Sequence, residues 1–186
     1  MKNICLLAFA LFLGGCAPHI VAPAVQEQIG EEVLPPAAAP ESRFRVTAPS
    51  GIVYTDMQGF FVKSTAFLPN DVNYFIATSE RMFLSVFGVA RTMDNVVTVP
   101  DFSKNIVLAI ALKPSRTRHD VIIRDIIISG EELTLRYNVV SRGSFPHTTS
   151  FFRAIEIERP HSGIRTIVFD DGKGAVRVPY TVPRGR

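Results

Sequence analysis

The chain has 186 residues, is 47% hydrophobic and 20% charged, carries a formal net charge of +3, and contains two cysteines and no tryptophan. That length suits one globular domain with an extension, and the apolar content belongs to a folding chain, not a disordered one. Two cysteines exclude a disulfide-rich scaffold. The mild charge, with no dense Lys/Arg run, argues against a nucleic-acid partner.

The N-terminus reads as an address. Lys2 supplies a positive start, Ile4 to Leu13 an apolar run, and Gly14-Gly15 the small residues before Cys16. This is a secretory signal, and the run is too short for a permanent transmembrane helix. Leu13-Gly14-Gly15-Cys16 resembles the bacterial lipobox, in which cleavage before the cysteine frees a thiol that takes diacylglycerol. The expectation is a signal peptide over 1–15 and a lipidated Cys16, with fatty chains such as palmitate as the membrane anchor. Each buried methylene adds about 0.8 kcal/mol, so two or three chains hold far more firmly than one. With Cys16 acylated the exported domain keeps no free thiol, which removes cysteine nucleophiles and thiolate zinc sites.

Residues 16–42 are rich in Pro and Ala and read as a tether. Such a tract reaches on the order of 80 Å when extended at about 3.1 Å per residue, and about 28 Å as a flexible coil. From about Arg43 to Arg186 the composition shifts to β-branched and aromatic residues broken by turn signals, and a single globular domain is expected there.

Within that domain, strands are predicted at Gly59 to Leu68 and Val72 to Ala77. Thr78 to Gly88 reads as a helix, capped by Thr78 or Ser79 and ended by Gly88, with Met82, Phe83, Val86 and Phe87 as its apolar stripe. Ile106 to Leu112 is apolar throughout, with large Ile106, Leu108, Ile110 and Leu112 alternating with small Val107, Ala109 and Ala111. A strand covered on both faces has this pattern. The helix stripe is expected to pack on the small face. Strands at His119 to Ser129 and Glu132 to Val139 are joined by a turn at Gly130. Further strands are expected at Phe151 to Glu158, Ile164 to Asp170 and Ala175 to Tyr180, the last two joined by Asp170-Asp171-Gly172-Lys173-Gly174. The fold class is α+β, mostly β: an antiparallel or mixed sheet of six to eight strands with one packed helix.

Motifs for chemistry are sparse. His19, His119, His147 and His161 show no HxH or HExxH spacing, and neither GxSxG nor SxxK occurs, so no metal, catalytic residue or cofactor is assigned. No phosphate loop is present. Arg177, Arg184 and Arg186 read as solubility. The segments Lys113 to Arg118 and Ser141 to Ser150 read as two polar loops at one end of the sheet. Together they form a basic, Ser/Thr-rich rim with Phe145 as its anchor. The candidate partner-binding residues are Phe145, His147, Arg116 and Arg118.

Asn73-Tyr74-Phe75-Ile76 leads into the helix, Asp101-Phe102-Ser103 precedes the apolar strand at Ile106, and Val121 through Leu135 forms a hairpin before Phe151-Phe152 and Ile155-Glu156-Ile157. This order resembles the C-terminal domain of the PrcB-type accessory lipoproteins, over roughly residues 71–170. The resemblance implies a non-catalytic subunit of an exported protease complex or another envelope complex, and no catalytic residues. The chain departs from that family at Ser115 to Asp120, where a Gly-rich turn is replaced by a segment without glycine. The expected protein is a non-enzymatic lipoprotein on a bacterial outer membrane or cell surface. Its partners are membrane lipid at Cys16 and a protein of the envelope. The alternatives are a binder of a small or polymeric envelope ligand such as glycan, and an enzyme of unrecognised type.

Overall fold

The computed structural model describes residues 45–90, 97, 99–160 and 163–181. The lipobox with Cys16, the tether, His19, His161, Arg184 and Arg186 lie outside the described residues. In chain order the elements are β1 (Arg45–Thr47), β2 (Val53–Asp56), β3 (Phe60–Val62), β4 (Val72–Ala77), α1 (Glu80–Val86), β5 (Phe87–Val89), β6 (Asn105–Leu112), β7 (Ser115–Ser129), β8 (Glu132–Thr149), β9 (Phe152–Glu158), β10 (Thr166–Asp170) and β11 (Ala175–Pro179). Among the described residues the protein is mostly β with a single packed helix, as its patterning predicts. Among the described residues the strands number eleven in three sheets, where six to eight were expected. The surplus is β1, β2 and β5, each three or four residues long and too short to show a period-two signal.

β6 organises the molecule. It sits inside a five-stranded sheet of order β1-β2-β9-β6-β4, antiparallel to β9 and β4, and its residues from Ile106 to Leu112 are buried. Ile106, Leu108, Ile110 and Leu112 enter one apolar cluster with Leu133, Leu135, Tyr137, Ile167 and Phe169. Those partners belong to a second sheet of order β11-β10-β8-β7, in which β8 and β10 run parallel. Val107 and Ala109 enter the other cluster, with Phe83, Phe87 and Phe60. The result is three layers: the four-stranded sheet, the five-stranded sheet, and an outer layer of α1 with the two-stranded sheet β3-β5. Small side chains on one face of β6 let Phe83 of α1 and Phe87 of β5 approach closely.

α1 starts where the sequence places it. The Ser79 hydroxyl accepts from the Met82 N–H at 3.3 Å, and Glu80 lies in the first turn. Phe83 and Phe87 are fully buried and their rings stack at 5.0 Å. Met82, by contrast, is 48% exposed and leaves the stripe. Gly88 does not end the helix. The cap is Phe87, in extended conformation with φ −107°, and Gly88 is a strand residue opposite Phe61. The Phe61 ring covers it so closely that a Cβ there would sit 2.4 Å from the ring edge, an aromatic residue shielding a strand glycine. The strand expected over Gly59 to Leu68 stops at Val62, and Ala66 N–H donates to Lys63 O at 3.0 Å in the turn that follows. Asp101-Phe102-Ser103 forms a local turn in which Asp101 Oδ1 accepts from Ser103 N–H and Oγ–H at 3.0 and 2.6 Å. Phe102 packs against the α1 cluster.

Two turns are as predicted. Gly130 adopts φ +57° between β7 and β8, and Gly172 adopts φ +79° between β10 and β11, where Asp171 Oδ1 accepts from Lys173 and Gly174 N–H at 2.8 Å each. The two polar loops are not loops. Lys113 to Arg118 largely belongs to β7 and Ser141 to Ser150 to β8, and the strands pair from Ser129↔Glu132 to Ser115↔Thr149. They were missed because β10 pairs β8 only over Glu132 to Arg136. Beyond Tyr137 the hairpin is a two-stranded ribbon with mostly exposed residues, so nothing there imposes alternating hydrophobicity.

Candidate functional site

The ribbon carries a groove of about 570 Å³. Its long side is β7, from Arg118 to Ile122. The rest of its lining comes from Phe151, just before β9, from Phe152 and Arg153 at the start of β9, and from Arg142 and Phe145 of β8. Register shifts mark the ribbon beside the groove. Ser115↔Thr149 is followed by Thr117↔Ser144, so β8 spends five residues where β7 spends two. Phe145-Pro146-His147 therefore bulges out of the ladder. A second shift falls between Thr117 and His119, opposite Gly143 at φ +69°.

The bulge aims aromatic rings at the groove. Phe145 stacks on Phe151 with centroids 6.1 Å apart and on His147 at 5.5 Å, while His119 meets Phe151 edge-on at 5.7 Å. Four rings, from β7, β8 and the residue just before β9, thus form one row. Such contacts add about 0.5–1.5 kcal/mol per aromatic pair, enough to fix a bulge whose backbone is largely exposed.

Charges surround the row. Asp120 Oδ2 lies 2.6 Å from Arg142 Nε and Asp120 Oδ1 lies 3.7 Å from Arg118 Nε. Two guanidinium groups share one carboxylate, leaving an excess positive charge. Arg153 is matched by Asp56 of β2 at 2.7 Å, a contact without the alignment of a hydrogen bond. Burial pushes the Asp56 carboxyl above its ordinary range, opposed by Arg153 and by a hydrogen bond from Gln58. This pair ties the groove wall to the central sheet.

A hydroxyl–imidazole contact is also present: Ser141 Oγ and His119 Nδ1 share a hydrogen bond of 3.2 Å. Asp120 does not orient that imidazole, because neighbours on a strand point to opposite faces and its carboxylate is held by arginines. Among the described residues no group of three or more His, Cys, Asp or Glu is placed to hold a metal ion. No helix among them is long and apolar enough to cross a membrane.

Of the four residues singled out in the sequence, Arg118 and Phe145 line the groove. His147 is exposed and stacks on Phe145 from outside. Arg116 is exposed on β7 and does not line it. The sequence reading missed Asp120, Arg142, Arg153, Phe151 and Phe152 as groove residues. The available signal was the Phe151-Phe152-Arg153 run directly after the polar stretch, which marks an aromatic strand start beside a basic segment. Set against protein-family models, curated proteins and solved structures, the chain has no match in any of the three.

Proposed function

We propose that this chain is a membrane-anchored, non-catalytic envelope lipoprotein that acts as an accessory, protein-binding subunit, in the manner of a component of an exported protease complex. The observation that carries the reading is the β7-β8 ribbon, 15 and 18 residues long, far beyond the usual strand of about 5–6. A ribbon with a shaped basic and aromatic groove suits recognition of another macromolecule. The groove's carboxylate is engaged by arginines, an arrangement suited to holding a surface in shape. The lipobox at Cys16 and the likeness to PrcB-type lipoproteins point the same way.

The test is photo-crosslinking in intact cells, with Phe145→p-benzoylphenylalanine in the groove and Lys173→p-benzoylphenylalanine at the β10-β11 turn as the reference. The reading expects one envelope protein, recovered in stoichiometric amount from position 145 and not from 173, and a mature N-terminus with diacylglycerol on Cys16. Recovery of no protein from any surface position, or an unmodified Cys16, overturns it. The three phenylalanines of the groove favour one second reading, a binder of a small or polymeric envelope ligand, and its signature is a crosslink to glycan or another non-protein component at position 145.

A further inference from the structure

The groove follows the edge of a strand. Arg118, His119, Asp120, Val121 and Ile122 all line it, and consecutive residues alternate faces, so what the five share is their backbone. β7 is the terminal strand of its sheet among the described residues. The direction of its free groups follows from Ile126. Its N–H donates to Asp125 Oδ1 at 2.9 Å, and its carbonyl accepts from the Ser50 hydroxyl. Both groups therefore point away from its β8 partner, Leu135. Along β8 the register runs unbroken from Leu135 through Tyr137 and Val139 to Ser141, and ladder groups alternate. The partners of those residues, Ile123, Val121 and His119, then also turn N–H and C=O outward.

The two halves of this edge are treated differently. The C-terminal half is blunted: Ser50, from the β1-β2 turn, donates to Asp125 Oδ1 through its N–H at 3.0 Å and to the Ile126 carbonyl through its hydroxyl. A bulge at Arg124 also bends it. Natural sheets protect edges by such devices. The N-terminal half, at Arg118 to Ile122, has no such hydrogen-bonded cover among the described residues and lines the groove; the Val121 side chain is buried in the core cluster, Arg118 is exposed, and His119, Asp120 and Ile122 are half-buried. Its surroundings are basic: Arg118 and Arg142 share the single carboxylate of Asp120, and exposed Lys113 and Arg116 follow toward the start of β7.

We infer that the groove takes an extended acidic segment of a partner protein as an added strand on the free edge of β7 at Arg118 to Ile122. This rests on the protein-binding reading above and specifies its chemistry. Five residues make a track of about 17 Å at roughly 3.3 Å each. Main-chain hydrogen bonds to His119 and Val121 hold the segment, acidic side chains meet Arg118 and Arg142, and an alternate apolar side chain lies against Phe145 and Phe151. A strand track between two walls accommodates a peptide chain and not a flat bilayer surface, so anionic lipid is the competitor that the test must separate.

The probe is the blocked heptapeptide Glu-Val-Glu-Val-Glu-Val-Glu, titrated by fluorescence anisotropy against the full chain held in nanodiscs of zwitterionic lipid. The expected result is saturable binding, at least about tenfold weaker for the Lys-Val counterpart. The same peptide N-methylated at alternate residues, which cannot complete the ladder, loses binding. The double variant Arg118→Glu, Arg142→Glu inverts the preference between the two heptapeptides. Equal binding of the Glu and Lys peptides, retained binding of the N-methylated form, or no binding below millimolar concentration overturns the inference. So does capture of the protein by anionic vesicles that the peptide does not displace. The methylated peptide needs no variant, so the test survives a double variant that fails to fold. If the peptide fails while the position-145 crosslink still returns an envelope protein, strand addition falls and the accessory reading stands; if no protein is recovered, the reading itself falls.

Discussion

Tyr74 of β4 and Tyr137 of β8 bring a polar contact into the apolar space between the two large sheets, their hydroxyls 2.8 Å apart. Tyr74 also tilts against Phe169, with centroids 4.7 Å apart. Tyr137 is almost fully buried, and burial first, with the Tyr74 hydrogen bond second, pushes its phenol far above the ordinary value of 10.0. Burial raises Tyr54 as well, against the pull of Arg153, and Tyr180 against that of Arg159. A group whose pKa is raised by folding adds stability that is complete below its unfolded pKa and is lost as pH climbs toward the folded one. The melting temperature is therefore expected to be insensitive to these phenols below about pH 9 and to fall steeply above about pH 10. Tyr137→Phe should cost about 1–3 kcal/mol at neutral pH, because it strands the Tyr74 hydroxyl, and should flatten the alkaline decline. Melts recorded across alkaline pH, alongside phenolate absorbance, check both parts. An unchanged alkaline slope in the variant would show that Tyr137 does not supply it.

At the level of elements, α1 shows how burial sorts residues that look equivalent in sequence. Met82 and Phe83 are neighbours in the predicted stripe, yet Phe83 is at 0% exposure and Met82 at 48%. Phe83→Ala removes a ring in contact with Phe60, Phe87 and Phe102 and should cost about 3–5 kcal/mol, whereas Met82→Ala should change stability by less than about 0.5 kcal/mol. Urea midpoints measure both, and a comparable loss in the two variants would contradict the assigned packing. The seven-residue helix was legible because its cap, first-turn acid and aromatic spacing are local. β6 was legible for another reason: two covered faces leave an unbroken apolar run, and its large–small alternation encodes which cluster lies on each side. The extensions of β7 and β8 were not legible, since a ribbon that buries little on either face has no pattern to read. Gly88 misled because glycine serves helix ends and shielded strand positions alike, and only the opposing Phe61 separates the two. The candidate site was half visible for the same reason. Arg118 and Phe145 stood out by residue type, but the partners that make a groove with them, Arg142, Phe151 and Arg153, are brought there by a bulge and by sheet pairing between distant segments.

Across the whole molecule, stability is expected to be uneven in a way that matters for binding. β6 is covered on both faces by separate clusters and flanked on both edges by β4 and β9, so its amides open only when the protein unfolds. The ribbon beyond Tyr137 has one ladder, and Val139 and Val140 are 38% and 36% exposed. Two-stranded hairpins are marginal alone, and here the support comes from the ring row from His147 to His119, the arginines around Asp120 and the buried Val121. Native-state hydrogen exchange should therefore show the ladder amides between Arg116 and Ile122, and their β8 partners, opening at a free energy well below the global value, with β6 exchanging last. Phe151→Ala, which breaks the ring row at its centre, should speed exchange in the ribbon while leaving β6 protection unchanged. Uniform protection across β6 and the ribbon would remove this division. The division has a functional consequence: an added strand on β7 would complete the ladder where it is thinnest, so a bound partner should slow ribbon exchange far more than core exchange. On this expectation the two-layer sandwich is the platform, and the adjustable backbone is confined to the segment proposed to take the added strand.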